Sequence, residues 1–387
     1  MKLADRLGHL GTETAFLVFS RAKDLEAQGK EMVHLEIGEP DFDTPRNIID
    51  SAIEALQNHW THYCPSAGLI ELRETVAEDI TKRRGINVGP ENVVITPGGK
   101  PIIIFAMLAL VNPGEEVIYP NPGYPIYESI INFIGARPVP IKMRQERQFR
   151  LDVDELRSLI SSKTRMIVIN SPHNPTGSIL THDDLKAIAE IAVTNNICVL
   201  ADEIYNRIIY DGEHISIANF PGMLERTVML DGFSKTYAMT GWRIGYGVMP
   251  EKLAVQVAKL QTNTNSCTAA FTQVACIEAM RGDQSEVDRM VEEFKKRRDF
   301  FIEGLSRIRG FDCHKPQGAF YLFPNITEFG LKSSAMEEKL MMEAGVAALA
   351  GTSFGAYGEG YIRFSYATSL ANIETALSKL ETFARKL

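Results

Sequence analysis

Short runs of apolar and β-branched residues alternate with helical patterns through the middle of this chain of 387 residues. The apolar runs predict strands at residues 92–96, 116–119, 165–170, 197–201 and 227–231. Helical patterns between them cover residues 101–111, 124–134 and 181–195. Strands that are joined through helices pair in parallel, and a parallel sheet carries helices on both of its faces. We therefore predict an α/β fold built on a mostly parallel sheet.

The pattern changes after about residue 286. A long charged helix, EVDRMVEEFKKRRDFFIEGLSRI, is followed by the apolar segments GAFYLFPNI and YIRFSYA and by a terminal helix. This mixture predicts a smaller α+β unit, and the N-terminal segment is expected to join it because that segment precedes the large sheet. We predict a large domain over residues 45–285 and a small domain formed by residues 1–44 and 286–387.

Composition argues against several classes of protein. The net charge of −8 and the lack of a basic stripe disfavour a nucleic-acid partner. The five cysteines are scattered without a CxxC pair, so neither a zinc ribbon nor a disulfide framework is indicated. The N-terminus lacks the apolar core of a signal peptide, and the longest apolar run, residues 102–111, is too short to cross a bilayer. We expect a cytoplasmic protein without a membrane partner.

The segment SKTYAMTGWRIGY, residues 234–246, contains the residues with the most distinctive chemistry. The amine of Lys235 can condense with an aldehyde, and Arg243, eight residues later, carries a planar group suited to a phosphate. Thr240 and Gly241 between them permit a tight turn that would bring both groups to one ligand. An aldehyde that also carries a phosphate suggests pyridoxal phosphate (PLP).

A glycine-rich turn offers a second contact for a phosphate. TPGGK, residues 96–100, lies between a predicted strand and a helix that opens at Pro101. Gly98 and Gly99 leave their backbone amides open to an anion, and the start of the helix adds a favourable partial charge. Turns of this kind are common between a strand and a helix, so this signal alone is weak.

Polar residues near predicted strand ends would complete a PLP site, since ligands bind at the carboxyl ends of strands in such sheets. Asp202 could face the protonated pyridine nitrogen and keep it charged, although a helix N-cap explains an aspartate there equally well. Asn174 and Tyr205 could donate to the phenolic oxygen of the ring. The motif NPTG, which contains Asn174, is equally typical of a turn, and Tyr205 could be a core residue.

Three further residues extend this predicted site. Ser234 could contact a phosphate oxygen, and the ring of Tyr124 could lie against a planar heterocycle. Arg363 lies among apolar residues in YIRFSYA, and a buried arginine needs an anionic partner. That partner is either a substrate carboxylate or a structural aspartate or glutamate.

The motifs GEPDFDTP, TPGGK, NPGYPIY, NPTG, DEIY, SKTYAMTGWRIGY, GAFY and YIRFSYA together resemble those of a known family. The chain is similar to the fold-type-I PLP-dependent aminotransferases of classes I and II, in the branch with aspartate, aromatic and alanine aminotransferases. The resemblance implies the PLP-dependent transferase fold, with a seven-stranded-type sheet in its large domain. It implies ping-pong transfer of an amino group from an L-amino acid to a 2-oxo acid, with the donor open among aspartate, alanine, glutamate and aromatic amino acids.

The resemblance also implies roles for single residues. Lys235 would hold the cofactor and then move a proton, with Asp202 and Tyr205 as its catalytic partners. Substrate carboxylate binding would fall to Gly38, Asn174 and Arg363, and the phosphate cup would be formed by Gly98, Gly99, Lys100, Ser234 and Arg243. Tyr63 would reach the phosphate of a neighbouring subunit, which implies a homodimer with shared active sites. Glu13 and Phe16, in the segment that lines the substrate pocket of relatives, do not match the aspartate-specific pattern.

Other activities are compatible with parts of the pattern. A PLP-dependent lyase, synthase or oxidase would use the same cofactor site, because the geometry of the pocket selects the bond that breaks. A PLP-binding regulator usually has a DNA-binding module ahead of the sheet domain, and about 30 residues precede the first predicted strand. A nicotinamide dehydrogenase lacks support because no GxGxxG opens a strand–helix unit near the N-terminus. His59 and His62 have metal-ligand spacing without an evident third ligand, so we expect no metal site.

Overall fold

The computed structural model describes residues 2–387. Its strands, numbered along the chain, are β1 (Val33–His34), β2 (Val93–Thr96), β3 (Glu116–Asn121), β4 (Arg137–Lys142), β5 (Thr164–Asn170), β6 (Cys198–Asp202), β7 (Thr227–Gly232), β8 (Gly245–Val248), β9 (Tyr321–Leu322), β10 (Val346–Ala347), β11 (Leu349–Ala350) and β12 (Ile362–Ser365). Its α-helices are α1 (Ala15–Ala27), α2 (Arg46–Gln57), α3 (Ile70–Arg84), α4 (Lys100–Leu110), α5 (Ile126–Phe133), α6 (Val153–Leu159), α7 (His182–Thr194), α8 (Glu251–Asn265), α9 (Ala270–Arg281), α10 (Ser285–Leu305), α11 (Ser333–Lys339) and α12 (Leu370–Ala384).

Seven strands form one large sheet in the order β2-β8-β7-β6-β5-β3-β4. β8 is antiparallel to its neighbours β2 and β7, and the remaining neighbouring pairs are parallel. The predicted α/β fold with a mostly parallel sheet is therefore confirmed. Because every strand except β8 points the same way, the carboxyl ends of β2, β3, β5, β6 and β7 meet along one edge of the sheet.

The central strands are apolar and almost wholly buried, as a sheet covered on both faces requires. On one face the apolar residues of α4, α5 and α8 pack against the sheet, and on the other face those of α6 and α7 do so. α7 begins where the side chain of Thr181 accepts from the backbone N–H of Asp184, while the Asp184 carboxylate accepts from the Thr181 N–H. This reciprocal cap fixes the start of the helix.

Two strands of the large sheet were not predicted from the sequence. β4 contains Pro138 and Pro140 and lies at an edge of the sheet, where a residue without an N–H is tolerated. β8 begins at the end of the lysine motif and has the sequence GYGV, in which two glycines weaken the strand signal. Both were missed because neither has the run of β-branched residues that marked the central strands.

Smaller sheets combine the two ends of the chain. β1 pairs in parallel with β10, so that Val33 lies opposite Val346. β12 pairs with β11 on one side and with β9 on the other, both antiparallel. Apolar residues of β9, β12, α10 and α12 form a core of their own. No helix within residues 2–387 is long and apolar enough to span a membrane.

Candidate active site

A cavity of about 520 Å³ opens at the carboxyl ends of the central strands. Residues that end or follow β2, β3, β5, β6 and β7 form its floor, as expected for ligand sites in sheets of this kind. The segments 13–16 and 37–39 from the N-terminal part and residues of 349–363 from the C-terminal part form its walls. Most of the residues selected from the sequence line this one cavity: Gly38, Gly99, Lys100, Tyr124, Asn174, Asp202, Tyr205, Ser234, Lys235, Arg243 and Arg363.

Lys235 follows β7 and points its amine into the cavity. Its Nζ donates to the carbonyl oxygen of Gly38 at 2.5 Å and lies 5.8 Å from the centre of the Phe320 ring. Burial lowers the pKa of this amine to about 8, although the carboxylates of Glu39 and Glu13 act in the opposite direction. The amine is therefore much easier to deprotonate than an exposed lysine, which is what a nucleophile or base at neutral pH requires.

Asp202 ends β6 and is 4% exposed. Its Oδ2 accepts from the hydroxyl of Tyr127 at 2.6 Å, and its Oδ1 accepts from the backbone N–H of Ile204 at 3.2 Å. Burial raises the pKa of the carboxyl to about 6, while these two donors act to lower it. The described residues after Asp202 form a turn and no helix begins there, so the alternative role of a helix N-cap is wrong.

Tyr205 and Tyr321 form a buried pair of hydroxyls beside the cavity. Their oxygens are 2.7 Å apart, and the side chains are 4% and 1% exposed. Burial raises the pKa of Tyr205 well above its usual value, so the hydroxyl keeps its proton and can donate to a ligand oxygen. A Cβ atom at Gly38 would lie 2.1 Å from the Tyr321 hydroxyl oxygen, so this position requires glycine.

Arg363 lies on β12, 4% exposed, and faces the cavity. Its guanidinium donates to the side-chain oxygen of Asn174 at 3.2 Å and to the backbone carbonyl of Glu36. The rings of Tyr321 and Phe354 lie 4.4 Å and 4.8 Å from it. Its Nε has no partner among the described residues, and no carboxylate within residues 2–387 forms an ion pair with it. A buried cation that lacks a carboxylate partner can bind an anionic ligand.

The loop at residues 96–100 and Arg243 form a cradle on another side of the cavity. Gly98 has a φ of +93°, and a Cβ atom there would lie 2.5 Å from Nη2 of Arg243. Arg243 itself has a φ of +55°, and its Nη1 donates to the carbonyl of Thr240 at 2.9 Å. α4 begins directly after this loop, so its free N–H groups add to the positive potential. The arrangement suits a phosphate.

Glu13 fills the side of the cavity where Tyr124 and Lys100 lie. Its Oε1 accepts from the Tyr124 hydroxyl at 3.0 Å and is also paired with the Lys100 ammonium. The side chain of Lys100 is thus directed at Glu13, which leaves its backbone N–H as the group available to the loop. Phe16, in the same N-terminal segment, also lines the cavity.

Tyr63 differs from the other selected residues. Its side chain is 89% exposed and does not line the cavity. Exposed apolar residues surround its position in the chain, namely Ile53, Leu56, Trp60 and Ile70. Within a single subunit the structure therefore does not bring Tyr63 to the site.

Three residues that shape the site were not singled out from the sequence. Tyr127 follows Tyr124 by three residues in a segment that was predicted to be helical, so this spacing could have indicated that both rings share one face. Asn170 donates to the backbone carbonyl of Asp202 at 3.0 Å and accepts from the N–H of Asn174 at 2.9 Å, and its place at the end of β5 was the available signal. Tyr321, in an aromatic run, had no signal that distinguishes it from a core residue.

Comparisons with known proteins agree on one family. The family model described as aminotransferase class I and II matches residues 30–380. The aspartate aminotransferase of Pyrococcus abyssi is 40% identical, with 100% of this chain and 99% of that protein covered. The aromatic-amino-acid aminotransferase 2 of Thermococcus litoralis is also 40% identical, over 98% of both chains. The structure of the aspartate aminotransferase from Thermus thermophilus with maleate superimposes with a TM-score of 0.95 at 34% identity, over 99% of this chain and 100% of that one.

Proposed function

The chain belongs to the class I and II aminotransferases, and we propose that it transfers amino groups between L-amino acids and 2-oxo acids with pyridoxal phosphate held in the cavity at the sheet edge. The observation that carries this proposal is the amine of Lys235, whose pKa is lowered to about 8 in the cavity that Asp202 also lines. An amine of this kind suits a covalent link to an aldehyde and, once released, the removal of a proton.

The described residues fit this cofactor at three points. The cradle of Gly98 and Arg243 fits the phosphate, because a side chain at residue 98 would occupy the space next to the guanidinium. The carboxylate of Asp202, buried and held by Tyr127, fits a protonated pyridine nitrogen. The donors of Tyr205 and Asn174 fit the phenolic oxygen of the ring. Ser234 and the N–H groups of Gly99 and Lys100 would complete the phosphate cup, and the ring of Tyr124 would lie against the cofactor.

PLP, when bound, supplies an aldehyde and a cationic ring that withdraws electrons from the substrate Cα. The protein contributes the remaining steps. Asp202 would stabilise the positive charge on the ring by pairing with it, and the burial of that carboxylate would exclude water that weakens the pairing. Lys235, as the neutral amine, would take the proton from the substrate Cα onto its Nζ and later release it. An amine with a pKa of about 8 is suited to proton transfer near neutral pH.

The substrate carboxylate would bind to Arg363, whose guanidinium has Asn174 and the Glu36 carbonyl as its hydrogen-bond partners. This contact would orient Cα toward Lys235, whose Nζ lies 2.5 Å from the carbonyl oxygen of Gly38. Two hydrogen bonds from one planar guanidinium fix both the position and the direction of a carboxylate. The amino donor is open among aspartate, alanine, glutamate and aromatic amino acids. The ammonium of Lys100 could bind a distal carboxylate of the substrate, but it is already paired with Glu13.

The proposal includes a homodimer in which Tyr63 of one subunit reaches the phosphate bound by the other. Tyr63 itself is 89% exposed, and further large apolar side chains nearby in the sequence are exposed as well, which supports an interface in this part of the chain. It also includes a large domain of residues 45–285 and a small domain of residues 1–44 and 286–387, supported by the pairing of β1 with β10. The five cysteines are free thiols, which suits the reducing conditions of the cytoplasm.

Borohydride reduction of the purified holoenzyme followed by peptide mass mapping tests the proposal. We expect the cofactor mass on the peptide that contains Lys235, and no label in a Lys235→Ala variant. Lys100→Gln, which removes the other lysine of the cavity, is the matched control and should label as the unchanged protein does. Attachment at another lysine, or no attachment, would contradict the assignment. Spectral half-reactions with aspartate, alanine, glutamate and phenylalanine then identify the donor.

A further inference from the structure

Two of the five cysteines lie close together although they are far apart in the sequence. The thiol of Cys64 donates to the carbonyl oxygen of Thr268, the residue directly after Cys267, at 3.4 Å. Cys267 is also one of the neighbouring groups that raise the pKa of the Cys64 thiol. Cys64 lies in the loop before α3, and Cys267 lies in the short connection between α8 and α9. Both residues are partly exposed in the single chain, and hydrogen peroxide is small enough to reach partly covered thiols.

The two segments are held in this arrangement by a fully buried glutamine. Nε2 of Gln273 donates to Cys64 Sγ at 3.2 Å and to the carbonyl of Thr268 at 2.8 Å. Its Oε1 accepts from the backbone N–H of Leu69 at 2.8 Å. One side chain therefore fixes the loop of Cys64 against the connection of Cys267. Groups that are already ordered next to each other need little further loss of entropy to form a bond.

We propose that Cys64 and Cys267 form a reversible disulfide when the enzyme meets hydrogen peroxide. The Cys267 thiol is oxidised first to a sulfenic acid, and the peroxide is reduced to water. The Cys64 sulfur then attacks the Cys267 sulfur, which forms the S–S bond and releases a second water that carries the oxygen of the sulfenic acid and the proton of the Cys64 thiol. A dithiol reductant reverses the reaction.

The order of these two steps follows from the surroundings of Cys64. Burial raises the pKa of the Cys64 thiol to about 11, and contact with Cys267 acts in the same direction. Because the thiolate is the form that reacts with peroxide, Cys64 is a poor first target at neutral pH, which leaves Cys267 as the site of the first oxidation. Cys276 is fully buried and Cys198 has no cysteine beside it, so neither offers this chemistry.

The disulfide would add a covalent link between two segments that hydrogen bonds of Gln273 and Cys64 connect in the dithiol form. Cys64 is the neighbour of Tyr63, whose side chain is 89% exposed. The bond would therefore fix the segment that presents Tyr63 relative to the end of α8. The thiol chemistry itself does not depend on the proposed function, because it needs neither the cofactor nor a substrate.

Peptide mass mapping of the peroxide-treated holoenzyme, with free thiols alkylated, tests the proposal. In the unchanged protein we expect a cross-linked peptide pair containing Cys64 and Cys267, loss of two of the five thiols that titrate after denaturation, and recovery of both after dithiothreitol. Cys64→Ser and Cys267→Ser should each abolish the cross-link. Cys198→Ser, which replaces another partly exposed cysteine, should leave it intact.

Other results would overturn the proposal. Sulfinic acid at Cys267 without a cross-link would mean that Cys64 does not resolve it. A cross-link between subunits, or five thiols still titratable after the treatment, would mean that the pair does not close within one chain. The map of the unchanged protein decides between these outcomes even if a variant fails to fold. Failure of cofactor attachment at Lys235 would leave the thiol result unaffected, so the two proposals are tested separately.

Discussion

At the scale of single residues, the site holds the carboxyl group of Asp202 in a buried environment that disfavours its charged form. Asp202 is buried, and the nearby carboxylates of Asp231 and Glu203 also act to raise its pKa. The hydroxyl of Tyr127 compensates only in part. Such a group lowers the stability of the fold when it has no cationic partner. A protonated ring, when bound, would supply that partner. Function and stability therefore oppose each other at this residue.

The cofactor-free protein should show this cost as a pH dependence. The pKa of Asp202 is about 6 in the fold and 3.8 in its ordinary state, so the folded protein binds more protons between these values. Its stability should then fall as pH rises from about 4 to 6, by roughly 3 kcal/mol for a shift of this size. Asp202→Asn cannot ionise and should escape that loss. Chemical denaturation at pH 4 and pH 7 measures the difference.

Asp24→Asn provides the control for this comparison, because Asp24 is an exposed carboxylate on α1. Its free energy of unfolding should follow that of the unchanged protein at both pH values. If Asp202→Asn also followed the unchanged protein, the carboxyl of Asp202 would have an ordinary pKa. The proposed electrostatic role would then lose its basis.

At the scale of elements, the loop between β2 and α4 depends on a conformation that favours glycine. A Gly98→Ala substitution adds a left-handed strain of about 1–2 kcal/mol and also a methyl group against Arg243. Gly114→Ala provides a matched control, since Gly114 has a φ of +84° and its added Cβ would meet no atom within 4 Å. Both variants should lose some stability, as Ala does at positive φ.

Only Gly98→Ala should lose affinity for the cofactor, by about tenfold or more, because only there does the methyl group displace a phosphate-binding guanidinium. Titration of the cofactor-free variants with PLP, followed by absorbance, measures the dissociation constants. Equal affinities for the two variants would show that the loop and Arg243 do not form the phosphate cup.

A second prediction at the scale of elements concerns Glu13, in the segment that precedes α1. Glu13→Gln removes the carboxylate that pairs with the Lys100 ammonium and leaves Lys100 free to meet a distal carboxylate of the substrate. Partly exposed ion pairs are worth up to about 1 kcal/mol, so KM for aspartate and glutamate should fall about threefold. KM for phenylalanine should stay within error. Glu26→Gln, on α1 itself and paired with Lys23, is the control and should change neither constant.

The same elements show what the sequence could predict. The central strands were evident because each is a continuous apolar run, and Asp202 and Asn174 were selected because they lie near the ends of such runs. β4 and β8 were missed because prolines and glycines weaken their signals. The hydrogen bond from Tyr127 to Asp202 and the pairing of Tyr205 with Tyr321 depend on how distant segments pack, and a single sequence does not contain that information.

At the scale of the whole molecule, the proposed sharing of active sites makes two defective subunits complementary. Tyr63 lies outside the cavity of its own subunit, whereas Lys235 lies inside it. Tyr63→Ala should weaken cofactor binding, and Lys235→Ala should abolish turnover. In a mixed dimer one site would carry both substitutions and the other neither. Random exchange makes half of the dimers mixed, so equal amounts should recover about a quarter of wild-type activity in a two-fold symmetric dimer.

The control for this experiment mixes Lys235→Ala with Asp202→Asn. Both residues line the cavity of one subunit, so every site in a mixed dimer carries one defect and no recovery is expected. Activity is measured after refolding the two proteins together, at a PLP concentration that saturates the unchanged enzyme but not Tyr63→Ala. Recovery in the first mixture alone would require that Tyr63 acts on the site of the other subunit. Absence of recovery in both would mean that each subunit forms its site without Tyr63 of a partner, and the exposure of that side chain would then need another explanation.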